Sequence, residues 1–162
     1  MTDQAGARKP TNFPWIRNTE EDLQLDAYGG IVAEYTCKAT GGLLIGDQVF
    51  LGSDFGVDKS TTQSDYDTAI GVVMGGAQID MYEVAPYHPG IPAALDGELV
   101  IVAWAGRVPV ALEGAALAGE IVGASAATAG AVVTPAVAGR TAIVAGPAQT
   151  SGFVTIILPY LT

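Results

Sequence analysis

Residues 41–49 read GGLLIGDQV, and residues 114–122 read GAALAGEIV. The two segments lie 73 residues apart and share the pattern G-x-x-x-x-G-[DE]-x-V. At the same offset, Thr68-Ala69-Ile70 aligns with Thr141-Ala142-Ile143. In this pattern the second Gly permits a tight turn, the acidic side chain can accept hydrogen bonds from the N–H groups of the turn, and the Val begins a strand. The recurrence predicts two similar β-modules, and chance recurrence in a chain rich in Gly and Ala is the alternative.

Short runs of β-branched and aromatic residues, separated by Gly, Pro, Asp or Ser, continue from residue 31 onward. Two of these runs, Glu98–Trp104 and Arg107–Leu112, are separated only by Ala105-Gly106, which predicts a β-hairpin. Helix is the rival for Ala111–Ala131, but each of its four glycines costs about 1 kcal/mol in a helix, which leaves one or two turns at most. The sequence therefore predicts an all-β fold. The predicted strands are Ile31–Thr36, Gln48–Leu51, Ile70–Met74, Ile79–Val84, Glu98–Trp104, Arg107–Leu112, Ala131–Thr134, Thr141–Ala145 and Phe153–Leu158.

The first thirty residues differ from the rest because they lack sustained periodicity. We predict an extended N-terminal arm over residues 1–30 and a β domain over 31–162, with modules of about 31–97 and 98–162. A disordered terminus is the alternative. Exposing a large apolar side chain costs about 1.5–3 kcal/mol relative to burying it, so an arm that carries Phe13, Trp15 and Ile16 is expected to dock on a partner.

The charge of the chain limits its partners. It has 7 basic and 17 acidic residues and a net charge of -10, which disfavours nucleic acid and anionic membranes, because both are bound largely through Lys and Arg. Residues 98–162 carry only 5 of the charged residues, so this part is expected to form a buried sheet or an interface. No signal peptide or membrane-spanning segment is recognised, and we expect a soluble protein.

Few residues are suited to catalysis. His88 is the only histidine, and it lies in Pro86-Tyr87-His88-Pro89-Gly90, a sequence typical of a turn. No G-x-S-x-G motif accompanies it, and a catalytic His requires a nucleophile and an orienting acid. The single cysteine, Cys37, excludes an internal disulfide and a site with several thiolates, and it is interpreted as a small buried hydrophobe. We predict no enzymatic activity and no cofactor.

Two weaker patterns concern ligands. Four aspartates fall within one predicted loop, but they lack the order of an EF-hand, so we predict a solvated acidic loop and no metal site. Trp104 and Tyr82 could form a platform on which sugars stack, although isolated aromatic residues in strands belong more often to a core. The four aspartates are Asp54, Asp58, Asp65 and Asp67.

Residues 111–159 contain an Ala/Gly-rich G-[DE]-x-V turn and strand, and they close with the pattern G-x-V-x-I-x-L at 152–158. In these motifs the segment resembles the C-terminal part of the capsid decoration proteins of tailed phages, also called cement or head-stabilising proteins. Residues 38–74 resemble the same pattern more loosely, and residues 1–30 have no counterpart in it.

The resemblance implies a small β-barrel or β-tulip domain, commonly a homotrimer, on the outer surface of an icosahedral phage head after synthesis in the host cytoplasm. The partner would be the major capsid protein. As candidates for the contact with the capsid we select Phe13, Pro14, Trp15 and Ile16. The alternative function is a β-sandwich carbohydrate-binding or adhesin module of a fibre or cell surface, and an enzyme ranks third.

Overall fold

The computed structural model describes residues 31–61, 69–79, 89–134, 142–150 and 152–158. These residues form eleven β-strands and no helix, which confirms the all-β prediction. No helix that could span a membrane occurs within the same ranges. The strands are β1 (Ile31–Cys37), β2 (Leu43–Leu44), β3 (Gln48–Leu51), β4 (Gly56–Lys59), β5 (Ala69–Gly76), β6 (Pro92–Ala94), β7 (Leu99–Glu113), β8 (Ile121–Ala124), β9 (Val132–Val133), β10 (Ala142–Val144) and β11 (Gly152–Leu158).

Five strands close into a β-barrel in the order β1–β4–β3–β5–β7, with β7 pairing again with β1. The pairing of β1 with β4 is parallel, and the other four pairings are antiparallel. Because the sheet closes on itself, each of these strands has a hydrogen-bonding partner on both sides. The buried residues of the first core include Cys37, Leu43, Ile45, Val49, Val57, Val73, Val100 and Val102.

A second ring repeats this arrangement in the order β7–β11–β10–β8–β9, with β9 pairing again with β7. It also has one parallel pairing, between β7 and β9, and four antiparallel ones. Residues 48–51 of β3 correspond to residues 121–124 of β8, and β5 and β10 begin at Ala69 and Ala142, all at the 73-residue offset of the sequence repeat. The prediction of two similar β-modules is therefore confirmed.

The strand β7 belongs to both rings. It is continuous over 15 residues, so the predicted hairpin at Ala105-Gly106 is wrong. Ala105 pairs with Ile31 of the first ring, whereas Gly106 pairs with Leu158 of the second. The two residues carry the chain from one ring to the next without reversing it, and the φ of +112° at Gly106 is accessible to glycine.

The strand β5 of the first ring separates two hydrophobic cores. Successive side chains of a strand point to opposite faces. Val73 accordingly lies in the first core, whereas Val72 and Met74 lie in the second, together with Val110 and Ile156. The rings therefore pack side by side and are not two independent domains joined by a linker.

One turn sequence, L-x-G-[DE], occurs three times, at Leu44–Asp47, Leu95–Glu98 and Leu117–Glu120. In each copy the glycine has a positive φ, between +87° and +98°, and the acidic residue donates its N–H to the leucine carbonyl. The acidic side chain in turn accepts the N–H of the same leucine. The first and third copies are the repeated motif of the sequence. The middle copy directly precedes β7 and lies outside the 73-residue repeat.

Candidate interaction surface

The residues that the sequence singled out for chemistry do not assemble into a reactive site in the described part of the chain. Cys37 is fully buried, and burial raises the pKa of its thiol, which disfavours the reactive thiolate. Among the described ranges no group of three or more His, Cys, Asp or Glu side chains is placed to hold a metal ion. His88, Tyr82, Asp65 and Asp67 lie outside those ranges, as do the proposed capsid-contact residues Phe13, Pro14, Trp15 and Ile16.

A buried polar junction joins the two rings. The backbone N–H of Gln48 donates to the carbonyl of Gly130 at 2.7 Å, and the N–H of Gly130 donates to the carbonyl of Ser60 at 2.8 Å. The Ser60 hydroxyl donates to Oε1 of Gln48 at 2.8 Å, while Nε2 of Gln48 has no hydrogen-bond partner among the described residues. Asp47 lies against Gly130 and forms an ion pair with Lys59 at 3.4 Å.

The pKa values of two acidic residues in the L-x-G-[DE] turns are shifted in opposite directions. Burial raises the pKa of Asp47 above its ordinary value of 3.8, although the Leu44 N–H and Lys59 oppose the shift. The pKa of Glu98 is lowered, first by the N–H of Leu95 and then by the side-chain amide of Gln78. Asp47 therefore favours the folded state most in acid and loses this contribution as pH rises through its folded pKa, whereas Glu98 contributes above its ordinary value of 4.5.

Three isoleucines form a row across the outer face of the second ring. Ile121 pairs with Ile143, which pairs with Ile157, which pairs with Arg107 of β7. Directly paired residues of adjacent strands point to the same face. Ile143 is 36% exposed and Ile157 is 48% exposed, whereas their neighbours along the strands, such as Val144 and Ile156, are buried in the core. We call Ile121, Ile143 and Ile157 the isoleucine row.

Trp104 lies on the surface because of an irregularity in the pairing of β1 with β7. Ile31 pairs with Ala105 and Val32 pairs with Ala103, so Trp104 is the extra residue of a bulge. Bulges redirect side chains, and Trp104 is 42% exposed. Of the two aromatic residues considered for sugar stacking, Trp104 is thus exposed, and Tyr82 lies outside the described residues.

The turn between β3 and β4 holds an unusual aromatic residue. Asp54 and Phe55 both have a positive φ, +56° and +54°, although neither is glycine. A left-handed conformation costs an L-residue roughly 1–2 kcal/mol, and Asp tolerates it better than a bulky residue does. Phe55 is 76% exposed. An open pocket of about 370 Å³ lies beside this turn, lined in part by Lys38, Phe50 and Asp58.

No known protein-family model matches the chain, and a search of curated proteins finds no significant relative.

The isoleucine row and Phe55 were not found from the sequence. The row could have been found by aligning the outward positions of the closing strands, but their register is set by pairing between residues distant in the chain. For Phe55 the local signal was the Asp-Phe pair shortly after the predicted strand Gln48–Leu51, at positions where hairpin turns prefer Asn-Gly or Asp-Gly.

Proposed function

We propose that the chain is a structural protein of a phage particle, a decoration or cement protein that binds the outside of the assembled head as a homotrimer and stabilises it. The observation that carries this proposal is the isoleucine row, an apolar outer surface on the ring that holds few charged residues. Apolar area removed from water stabilises an interface by about 25 cal/mol per Å². We assign this surface to contacts between copies of the chain.

Stabilisation of the shell requires only that the protein binds the assembled form preferentially, and it needs no reactive group. A protein that binds the assembled shell and not its separated subunits stabilises the shell by mass action. An oligomer that touches several capsid subunits gains effective affinity from the simultaneous contacts. The apolar arm around Phe13, Pro14, Trp15 and Ile16 is proposed to lie along neighbouring capsid subunits as a strap that orders on binding.

We expect that deletion of residues 1–28 weakens binding to purified empty heads by about tenfold or more, because it removes the aromatic anchors of the strap. The free oligomer is expected to stay folded, since the deletion removes no residue of the described strands, the first of which begins at Ile31. Cosedimentation with heads measures binding, and circular dichroism with light scattering checks fold and mass. Unchanged binding of a folded truncated oligomer contradicts the strap.

We expect Ile157→Asp to weaken self-association by about tenfold or more, because it places a charge in an apolar interface. Leu99→Asp is the matched control, since Leu99 is 44% exposed, close to the 48% of Ile157, but lies outside the row. Sedimentation equilibrium of both variants measures the association constant. Equal association constants of the two variants would contradict the assignment of the isoleucine row to the interface between copies.

Trp104 favours a second function. An exposed aromatic side chain on a β surface is the feature that a carbohydrate-binding or adhesin module requires. A glycan screen of the wild-type chain and of Trp104→Ala tests this alternative. Glycan binding that disappears in the variant favours the recognition module over the capsid protein.

A further inference from the structure

The tip of the β3–β4 hairpin carries an aromatic residue at a position where folding does not require one. A turn with positive φ at both central residues accepts glycine at the second of them without strain. Phe55 occupies that position, adopts the unfavourable conformation and leaves most of its ring in water. An observed backbone outlier of this kind indicates a role other than stability, because a strained residue persists only where the surrounding structure imposes it.

Hydrogen bonds hold this tip in one orientation. The N–H of Gly56 donates to the carbonyl of Ser53 at 2.9 Å and closes the turn, and the N–H of Gly52 donates to the carbonyl of Gly56 at 2.8 Å. The carbonyl of Phe55 accepts the N–H of Thr36 in β1 at 3.1 Å. Because the turn is closed by its own hydrogen bonds and its backbone is tied to β1, the aromatic ring can bind a partner with little loss of conformational entropy.

The charges around the tip indicate the chemistry of that partner. Asp54 is exposed next to Phe55, and the half-buried Asp58 lines the adjacent pocket together with Lys38. The side chain of Lys38 runs across Gly56, where an added Cβ would lie 2.5 Å from its Cγ. The chain as a whole carries a net charge of -10. An acidic partner surface would therefore be repelled, and a surface with Lys or Arg around an apolar pocket would be attracted.

We propose that Phe55 inserts into an apolar pocket on the partner protein and that basic side chains of the partner surround this pocket and face Asp54. The inference rests on the proposed function, which makes the outer surface of the assembled capsid that partner. Phe55 is then a contact point on the β domain, separate from the N-terminal arm. Aromatic anchors that fill a pocket are typical of the residues that contribute most to a protein interface.

The test compares wild-type chain, Phe55→Gly and Phe55→Tyr in binding to purified empty heads. Phe55→Gly is expected to weaken binding by about tenfold or more, and Phe55→Tyr, which keeps the ring, by much less. Leu117→Ala is the control, since Leu117 is another exposed apolar residue of a turn, and it is expected to change binding by about twofold at most. Wild-type binding by Phe55→Gly overturns the inference.

Two further readouts complete the test. Phe55→Gly is expected to melt at the same temperature as wild type or higher, because strain is relieved; a lower melting temperature assigns Phe55 to the fold and overturns the inference. Asp54→Lys is expected to slow association at low salt, and unchanged association refutes the basic pocket. If wild-type chain does not bind heads, the proposed function fails together with the inference, whereas normal wild-type binding with no effect of Phe55→Gly refutes the inference alone.

Discussion

Replacing Gly71 with alanine is expected to destabilise the protein by about 4 kcal/mol or more, which is the range of exceptional single substitutions. An added Cβ would lie 2.0 Å from the carbonyl oxygen of Ala103 and 2.9 Å from the Cα of Trp104. Both atoms belong to the backbone of β7, so no side-chain rotation can relieve the overlap. The backbone cannot withdraw either, because the neighbouring Val72 pairs with Ala103 inside a closed ring.

Urea unfolding of Gly71→Ala, followed by circular dichroism, measures this loss. Gly41→Ala is the matched control, because a Cβ on Gly41 meets no atom within 4 Å and its φ is not in the left-handed region. The control is expected to change the free energy of unfolding by about 0.5 kcal/mol or less. If the two variants have similar stability, β5 and β7 do not approach as closely as described.

Replacing Asp47 with alanine is expected to cost about 1.5–3 kcal/mol, the range for a hydrogen bond to a charged group. Asp47 is only 5% exposed, and its carboxylate accepts the N–H of Leu44 at 2.8 Å and faces Lys59 in the junction between the rings. Glu120 makes the equivalent turn contact with Leu117 at an exposed site, so Glu120→Ala is expected to cost only about 1 kcal/mol. Thermal unfolding of the two variants measures the difference, and equal losses contradict the role of the junction.

The pH dependence gives this prediction a second readout. Asp47→Asn keeps an oxygen that can accept the Leu44 N–H but does not titrate. Because burial raises the pKa of Asp47 above 3.8, the wild-type chain loses stability at this site as pH rises through the folded pKa. The stability of Asp47→Asn relative to wild type is therefore expected to improve from acid toward neutral pH. A difference that stays constant across this range contradicts the buried environment.

The turns could be predicted from the sequence because their contacts are local. In Leu44–Asp47 the glycine supplies the positive φ, and the acidic residue reaches a backbone N–H three positions earlier. Every atom of this unit lies within four residues, so the motif specifies its own geometry. The same unit at Leu95–Glu98 was present in the sequence and could have been recognised by the same rule.

The path of β7 could not be predicted, because its turn signal is ambiguous. Ala105-Gly106 between two strand-like runs fits a hairpin by local rules. The chain continues instead because the two halves of β7 pair with different strands. The first half pairs with β1 and β5, and the second half pairs with β11 and β9. Those partners are distant in the chain, and the hydrogen bonds they offer decide between reversal and continuation.

The amino-acid sequence alone determined the all-β character, the doubling of a β-module and the turns that start its strands, since these depend on preferences of single residues and on bonds between near neighbours. Only the tertiary structure decided that the modules share β7, that Ile121, Ile143 and Ile157 align on one outer face, and that Phe55 is held in water. The physical reason is that strand register is fixed by pairing between distant segments, and a shift of one residue moves every side chain to the opposite face.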